Sequence, residues 1–210
     1  MEYLLSAVIG YLLGSIPAAY LILKKSREID ITKEGSGNVG AMNSFEISKS
    51  KFIGLFVLII DALKGLLSVY LCLLIFPVNF VYPAVALFFA VFSHCFNPWL
   101  DFNGGRGLAA AAGGAALLFP FALVLWVLLW ILIYLIKKDI LWANIFATLA
   151  AMIIIFASPE FALKYSFPRA STIGELILFS MALLIIIFVK HIEPFKEIIK
   201  NKKILRKAER

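Results

Sequence analysis

At 210 residues, 62% of them hydrophobic and with a mean hydropathy of +0.96, the chain carries more apolar side chain than a soluble core of its length needs. Its 20 Lys and Arg against 13 Asp and Glu give a formal charge of +7, yet the cations fall in short segments between apolar runs and in a tail, not on an amphipathic face interleaved with aromatics. Composition thus points to an integral membrane protein, and the charge reads as topology in place of nucleic-acid binding.

The first apolar run, Tyr3 to Leu23, starts almost at Met1 with no basic segment ahead of it and no clear small-residue cleavage site, so it reads as a retained first span. A cationic loop follows, with Lys24, Lys25, Arg27, Lys33, Lys49 and Lys51, and within it lies GSGNVGAMN, residues 35 to 43. Gly35, Gly37 and Gly40 let consecutive backbone N–H groups turn inward as an anion nest, and Ser36, Asn38 and Asn43 bring side-chain polarity to the same loop. A simple turn is the competing reading.

The second run, Phe52 to Phe76, holds Asp61 and Lys64 three residues apart, about ten residues from its start. A helical ion pair accounts for them, and a direct ligand role is the alternative. The third run, Phe80 to Leu100, leads into SHCFNPWLDFNGGRG, residues 93 to 107. His94 reads either as a group bridging helices or as a proton-transfer residue. Gly104, Gly105 and Gly107 directly precede the small-residue run LAAAAGGAA, so a helix N-terminus and Arg106 can face one phosphate. Neither Cys72 nor Cys95, both inside apolar runs, belongs to a C-x-x-C pair, no zinc set surrounds either histidine, and Ser36 lacks a G-x-S-x-G elbow.

The stretch from Leu108 to Ile136 has 29 residues, about 43 Å of helix, too long for one ordinary crossing and short for two. One crossing would put the Lys-rich tail opposite the first cationic loop. A break around Phe119 and Pro120 instead places both clusters, with Lys137 and Lys138, on one side and leaves only Lys164 and Arg169 on the other. With the runs Ile140 to Ala157 and Ile173 to Val189, the expected fold is an all-α membrane protein of seven spans, the fourth short, N-terminus out and C-terminus cytoplasmic. Residues 1–195 form the membrane domain and residues 196–210 a basic cytoplasmic tail, either an interfacial helix or a frayed end. This topology also brings KKDILWAN, residues 137 to 144, and KHIEPFK, residues 190 to 196, to the cytoplasmic face. His191, beside Lys190, reads as a solvated interfacial residue.

Several motifs together resemble the bacterial acyl-phosphate:glycerol-3-phosphate acyltransferases of the PlsY type. YLLGSIPAAYLI, residues 11 to 22, is similar to that family's first span, GSGNVGAMN to its G-S-G-N-x-G-A-T-N loop, and DALKG, residues 61 to 65, to its D-x-x-K-G. The run from His94 to Gly107 resembles its histidine, proline and F-K-G-G-K-G pattern, and Lys190, His191 and Glu193 its terminal R-H-x-E. The resemblance implies acyl transfer from acyl phosphate to the 1-hydroxyl of glycerol 3-phosphate in phospholipid synthesis, at the cytoplasmic face of the bacterial inner membrane. It implies no cofactor or metal and no acyl-CoA or acyl carrier protein. Ser36, His94 and Arg106 take catalytic positions by this resemblance. Gly35, Gly37, Asn38, Gly40, Asn43, Gly104, Gly105, Gly107, Lys190 and His191 take substrate-binding ones, and Asp61, Lys64 and Glu193 supporting ones.

The chain departs from the family pattern at several points. Glu46 stands where the family has arginine and Asn103 where it has the first lysine of F-K-G-G-K-G. Met42 replaces threonine, Ser93 the glycine before the histidine, and Pro194 the asparagine after the glutamate, while DILWANI lacks the family's loop serines. Two alternatives follow: an acyltransferase acting on another phosphorylated polyol, and a non-catalytic lipid-phosphate binder or transporter. Transport calls for a polar path, for which the spans offer little beyond Asp61 and Lys64.

Overall fold

The structure, a computed structural model, describes residues 1–76 and 78–208, without the side chains of Glu193 and residues 195–208. The Glu193 carboxylate and the cations of the tail therefore lie outside the described residues.

Among the described residues ten α-helices follow one another: α1 (Glu2–Gly14), α2 (Ala18–Arg27), α3 (Ala41–Ser48), α4 (Lys51–Ile75), α5 (Val81–Cys95), α6 (Leu108–Leu118), α7 (Pro120–Lys137), α8 (Ile140–Ala157), α9 (Pro159–Lys164) and α10 (Ile173–Ala208), with a 3₁₀ turn at Pro98–Leu100. Six stretches of the described residues are long and apolar enough to cross a membrane: Glu2–Arg27, Lys51–Ile75, Val81–Leu100, Pro120–Lys137, Ile140–Ala157 and Ile173–Ile192. The first is broken where Pro17 withholds an N–H, so α1 and α2 form one kinked span.

The α6 helix has 11 residues, about 16 Å against a hydrocarbon core of about 30 Å. It ends where expected: Phe119 leaves the helical region and Pro120 opens α7, where its missing N–H costs nothing. The orphaned carbonyl of Leu118 is met by the Phe167 N–H at 3.0 Å, so the segment after α9 closes the end of α6. The run of small residues in α6 has a packing cause. A Cβ on Gly65 of α4 would overlap the Ala110 carbonyl, and one on Gly113 the Ala62 carbonyl, so these helices cross backbone to backbone. Gly10 and Gly14 of α1 lie the same way against Ala86 and Ala90 of α5.

None of the α7 side chains is fully buried, and two tryptophans tie it to α8: Trp126 Nε1 donates to Thr148 Oγ1 at 3.1 Å and Trp130 Nε1 to Asn144 Oδ1 at 2.7 Å. Asp139 caps α8 by accepting the Leu141 and Trp142 N–H groups. The α10 helix runs without interruption from the last span through Pro194 to Ala208, so residue 195 marks no helix end.

Candidate functional site

The loop between α2 and α3 and the loop between α5 and α6 meet where the Val39 N–H donates to the Gly104 carbonyl at 3.4 Å. Between them and α10 opens a cavity of about 280 Å³. Thr32, Ser36, Gly37 and Asn38 form one wall, Asn103, Gly104 and Arg106 another, and Lys190 and Pro194 the α10 side. The Ser36 hydroxyl, the Asn38 and Asn103 amides and the Arg106 guanidinium have no hydrogen-bond partner among the described residues. The Lys190 ammonium lies 4.9 Å from the centre of the Phe96 ring. Free donors and two cations thus converge on one space. Burial lowers the pKa of Arg106, and exposed Glu46 acts on it in the opposite sense.

The first loop is built differently from the expected nest. The Ser36 N–H is taken by Asn43 Oδ1, the Gly37 N–H by the Glu34 carbonyl, the Val39 N–H by Gly104 and the Gly40 N–H by the Asn38 carbonyl. These four backbone donors are thereby engaged, three within the loop and one by the neighbouring loop, and side chains face the cavity. Asn43 is buried beneath, its amide nitrogen donating to the carbonyls of Glu34 and Asn38. Gly35 and Gly37 take positive φ, and Gly40 caps α3 in an extended conformation. Of the three, only Gly37 reaches the cavity wall.

His94 lies one layer below the wall. It is buried, its carbonyl accepts the Gly105 N–H at 3.1 Å, and the bare Cα of Gly105 packs on its Nε2. Its Nδ1 is 3.8 Å from Asp61 Oδ1, and that oxygen accepts from Lys64 Nζ at 2.6 Å, so the buried ion pair of α4 adjoins the imidazole. Gly107, at positive φ, is enclosed by Cys95, Val91 and Ile187 and is not on the wall.

His191 is not solvated. It is buried at 1% exposure. Its Nδ1 lies 2.7 Å from the Ile187 carbonyl and its Nε2 3.3 Å from Asn144 Nδ2. Because the Trp130 indole only donates, Asn144 Oδ1 accepts and Nδ2 donates. His191 therefore holds its proton on Nδ1 and accepts at Nε2. The ring joins α10 to α8 behind the cavity. Sequence reasoning missed this partnership and also Thr32, whose only signal was the D-x-T spacing of a side-chain-capped turn at Asp30.

A second, apolar cavity of about 70 Å³ lies between α6, α7, α8 and α10, with Leu108, Ala112, Trp126, Ala151, Leu184 and Ile187 among its walls. Leu108 follows the Arg106 loop, and Ile187 is one turn from Lys190, so the start of α6 and the α10 helix contribute neighbouring residues to both cavities.

Fold and site define a multi-pass helical membrane protein that presents a cationic, donor-lined cavity beside an apolar groove. Residues 4–201 match the model of the glycerol-3-phosphate acyltransferase family, and the chain belongs to that family. A glycerol-3-phosphate acyltransferase of Helicobacter acinonychis (strain Sheeba) is 31% identical over 208 residues, covering 94% of this chain and 93% of that protein. The crystal structure of PlsY (YgiH), an integral membrane glycerol 3-phosphate acyltransferase in its glycerol 3-phosphate form, superposes with a TM-score of 0.78 at 25% identity, covering 96% of this chain and 94% of that one. Its lysophosphatidic acid form gives 0.77 at the same identity, covering 96% and 93%.

Proposed function

We propose that this glycerol-3-phosphate acyltransferase takes its acyl group from acyl phosphate, and not from acyl-CoA or an acyl carrier protein, and delivers it to the 1-hydroxyl of glycerol 3-phosphate to give lysophosphatidic acid. The observation that carries the reading is that α10 and the start of α6 line both cavities, through Lys190 and Ile187 and through Arg106 and Leu108: a phosphorylated headgroup suits the donors and cations of one, and an acyl chain the apolar groove of the other.

An acyl phosphate brings its own leaving group, so no covalent enzyme intermediate is needed and the chain works by placement and charge. Arg106 and Lys190 neutralise phosphate, and Ser36 and Asn38 donate to phosphate or to the developing oxyanion. His94 stands below the wall, so the proton of the attacking hydroxyl passes to a substrate phosphate oxygen, while His94 holds the Gly104–Gly105 segment in place. His191 supports α10 in the same manner. No cofactor enters this reading.

The short α6 counts as a crossing, which makes seven spans with the N-terminus outside and the C-terminus in the cytoplasm of a bacterial cell. The break at Phe119 supports that count, and with α6 as a crossing Lys24, Lys25, Lys137 and Lys138 fall on the same side, as the positive-inside rule asks. Residues 1–195 then act as the membrane enzyme and residues 196–210 as a basic tail at the inner face.

The test is acyl transfer by purified protein in lipid vesicles, with acyl phosphate, acyl-CoA and acyl carrier protein as donors and a panel of phosphorylated polyols as acceptors. Lysophosphatidic acid from acyl phosphate alone is expected. Transfer from acyl-CoA but not from acyl phosphate sinks the donor assignment. Glu46 beside Arg106 and Asn103 on the wall favour one second reading, a different phosphorylated polyol as preferred acceptor, which the same panel decides.

A further inference from the structure

Among the described residues, every polar side chain on the cavity wall but one brings a free proton: Ser36, Asn38, Asn103, Arg106 and Lys190 all donate, as phosphate oxygens require. Thr32 is the exception. Its hydroxyl donates to Asp30 Oδ1 at 2.6 Å, and its N–H donates to the same oxygen at 3.2 Å. Asp30 Oδ2 is in turn 3.5 Å from Lys33 Nζ. The Thr32 hydroxyl holds Asp30 below the ordinary carboxylate range, so the carboxylate stays ionised and keeps that proton. Only lone pairs are left to Thr32, on a hydroxyl made electron-rich by a charge-assisted bond. Its main-chain oxygen, beneath Gly37, is likewise an acceptor. Phosphate is repelled from such a point, and an alcohol O–H fits it.

Position decides which alcohol. Thr32 belongs to the α2–α3 loop, whereas the apolar groove is walled by α6, α7, α8 and α10. The hydroxyl that attacks the acyl carbon must face the groove, which leaves the Thr32 wall to the hydroxyl that does not react.

Resting on the acyltransferase reading above, we propose that Thr32, oriented by Asp30, is a specificity-determining residue that accepts a hydrogen bond from the 2-hydroxyl of glycerol 3-phosphate and so selects a polyol phosphate over a simple hydroxyalkyl phosphate.

The experiment compares kcat/KM for glycerol 3-phosphate and for 3-hydroxypropyl phosphate, which keeps the phosphate and the reacting hydroxyl but lacks the 2-hydroxyl, using full-length protein in vesicles with acyl phosphate as donor. Wild type should prefer glycerol 3-phosphate. Thr32→Val, nearly the same shape without the oxygen, should cut that preference about tenfold, the scale of one hydrogen bond, through the natural acceptor alone. Thr32→Ser should keep it. The KM for acyl phosphate should not move in either variant. Thr32→Ala is read in the same way should the valine variant not fold. An unchanged preference in a folded variant overturns the proposal, as does an equal fall on both acceptors, which marks mere loop support. Wild type that acylates neither acceptor overturns the acyltransferase reading itself, and this outcome is seen before any variant is made.

Discussion

Gly105 and His94 are packed so closely that no side chain fits between them. A Cβ on Gly105 would overlap the imidazole Nε2 and Cε1 and press on the Val39 carbonyl, while the Gly105 N–H is bonded to the His94 carbonyl. The requirement for glycine is one of space and not of backbone, since Gly105 does not take positive φ. Gly105→Ala should cost about 1–3 kcal/mol, the scale of overpacking, and lower acyl transfer by shifting the wall that carries Arg106. Adding His94→Ala should return part of the lost stability. Thermal unfolding in detergent reads both effects, and a native melting point with native turnover in Gly105→Ala would show that the contact bears on neither stability nor activity.

Arg106, the proposed phosphate ligand, should tolerate lysine better than alanine. Arg106→Lys keeps a cation at the wall. Arg106→Ala should lose on the order of 2–4 kcal/mol of transition-state stabilisation, as loss of a single oxyanion donor does. Turnover must be normalised to folded protein in the membrane, because a residue that only anchors the start of α6 at the interface predicts poor insertion in both variants.

Glu46 is exposed and bears on Arg106, so it competes with phosphate for that cation. Removing the charge in Glu46→Gln should lower the KM for glycerol 3-phosphate several-fold at low salt, and the difference should vanish near 1 M salt, where the Debye length is about 3 Å. Glu46→Arg should improve it further. A salt-independent change would point to altered loop packing instead.

Asp61 and Lys64 are both buried, so loss of either leaves a charge without its partner. Asp61→Asn or Lys64→Met should each cost about 3–5 kcal/mol, and the double substitution less than the sum of the two. Additive losses in a double-mutant cycle would show that the pair is not coupled.

Topology is open to cysteine labelling with little background, because Cys72 and Cys95 are buried. Cysteines placed at Ser36, Asn103, Lys138 and in the tail should react from the cytoplasmic side, and one at Arg169 from the outside. Labelling of position 138 from outside would contradict a crossing by α6.

What could be read from the sequence divides along the range of the forces involved. The break at Phe119 was legible because helix length and loop charge constrain it together, and the glycine loops were legible because few residues adopt such turns. The fate of the loop's N–H groups was not: Gly104 takes the Val39 N–H across 65 positions, and no local pattern reports that. Nor was the burial of His191. A histidine beside a lysine near a helix end looks solvated until Asn144, 47 positions earlier, is brought against it. LAAAAGGAA misled in a subtler way, since its small side chains admit α4 as well as any ligand.

The short α6 and the buried pair of α4 have a joint consequence for where the chemistry takes place. Asp61 lies ten residues into α4, about 15 Å along its axis, and His94 and Gly105 share its level. In the proposed topology, with Lys51 at the cytoplasmic boundary, the floor of the cavity would sit well below the bilayer surface, in a wet notch whose low-dielectric walls concentrate the field of Arg106 and Lys190 at its base. On that reading a soluble phosphorylated substrate would be drawn down into the notch, while a greasy one would meet it sideways without leaving the hydrocarbon. Such a protein brings water to the lipid and spares itself the far larger cost of bringing lipid to the water.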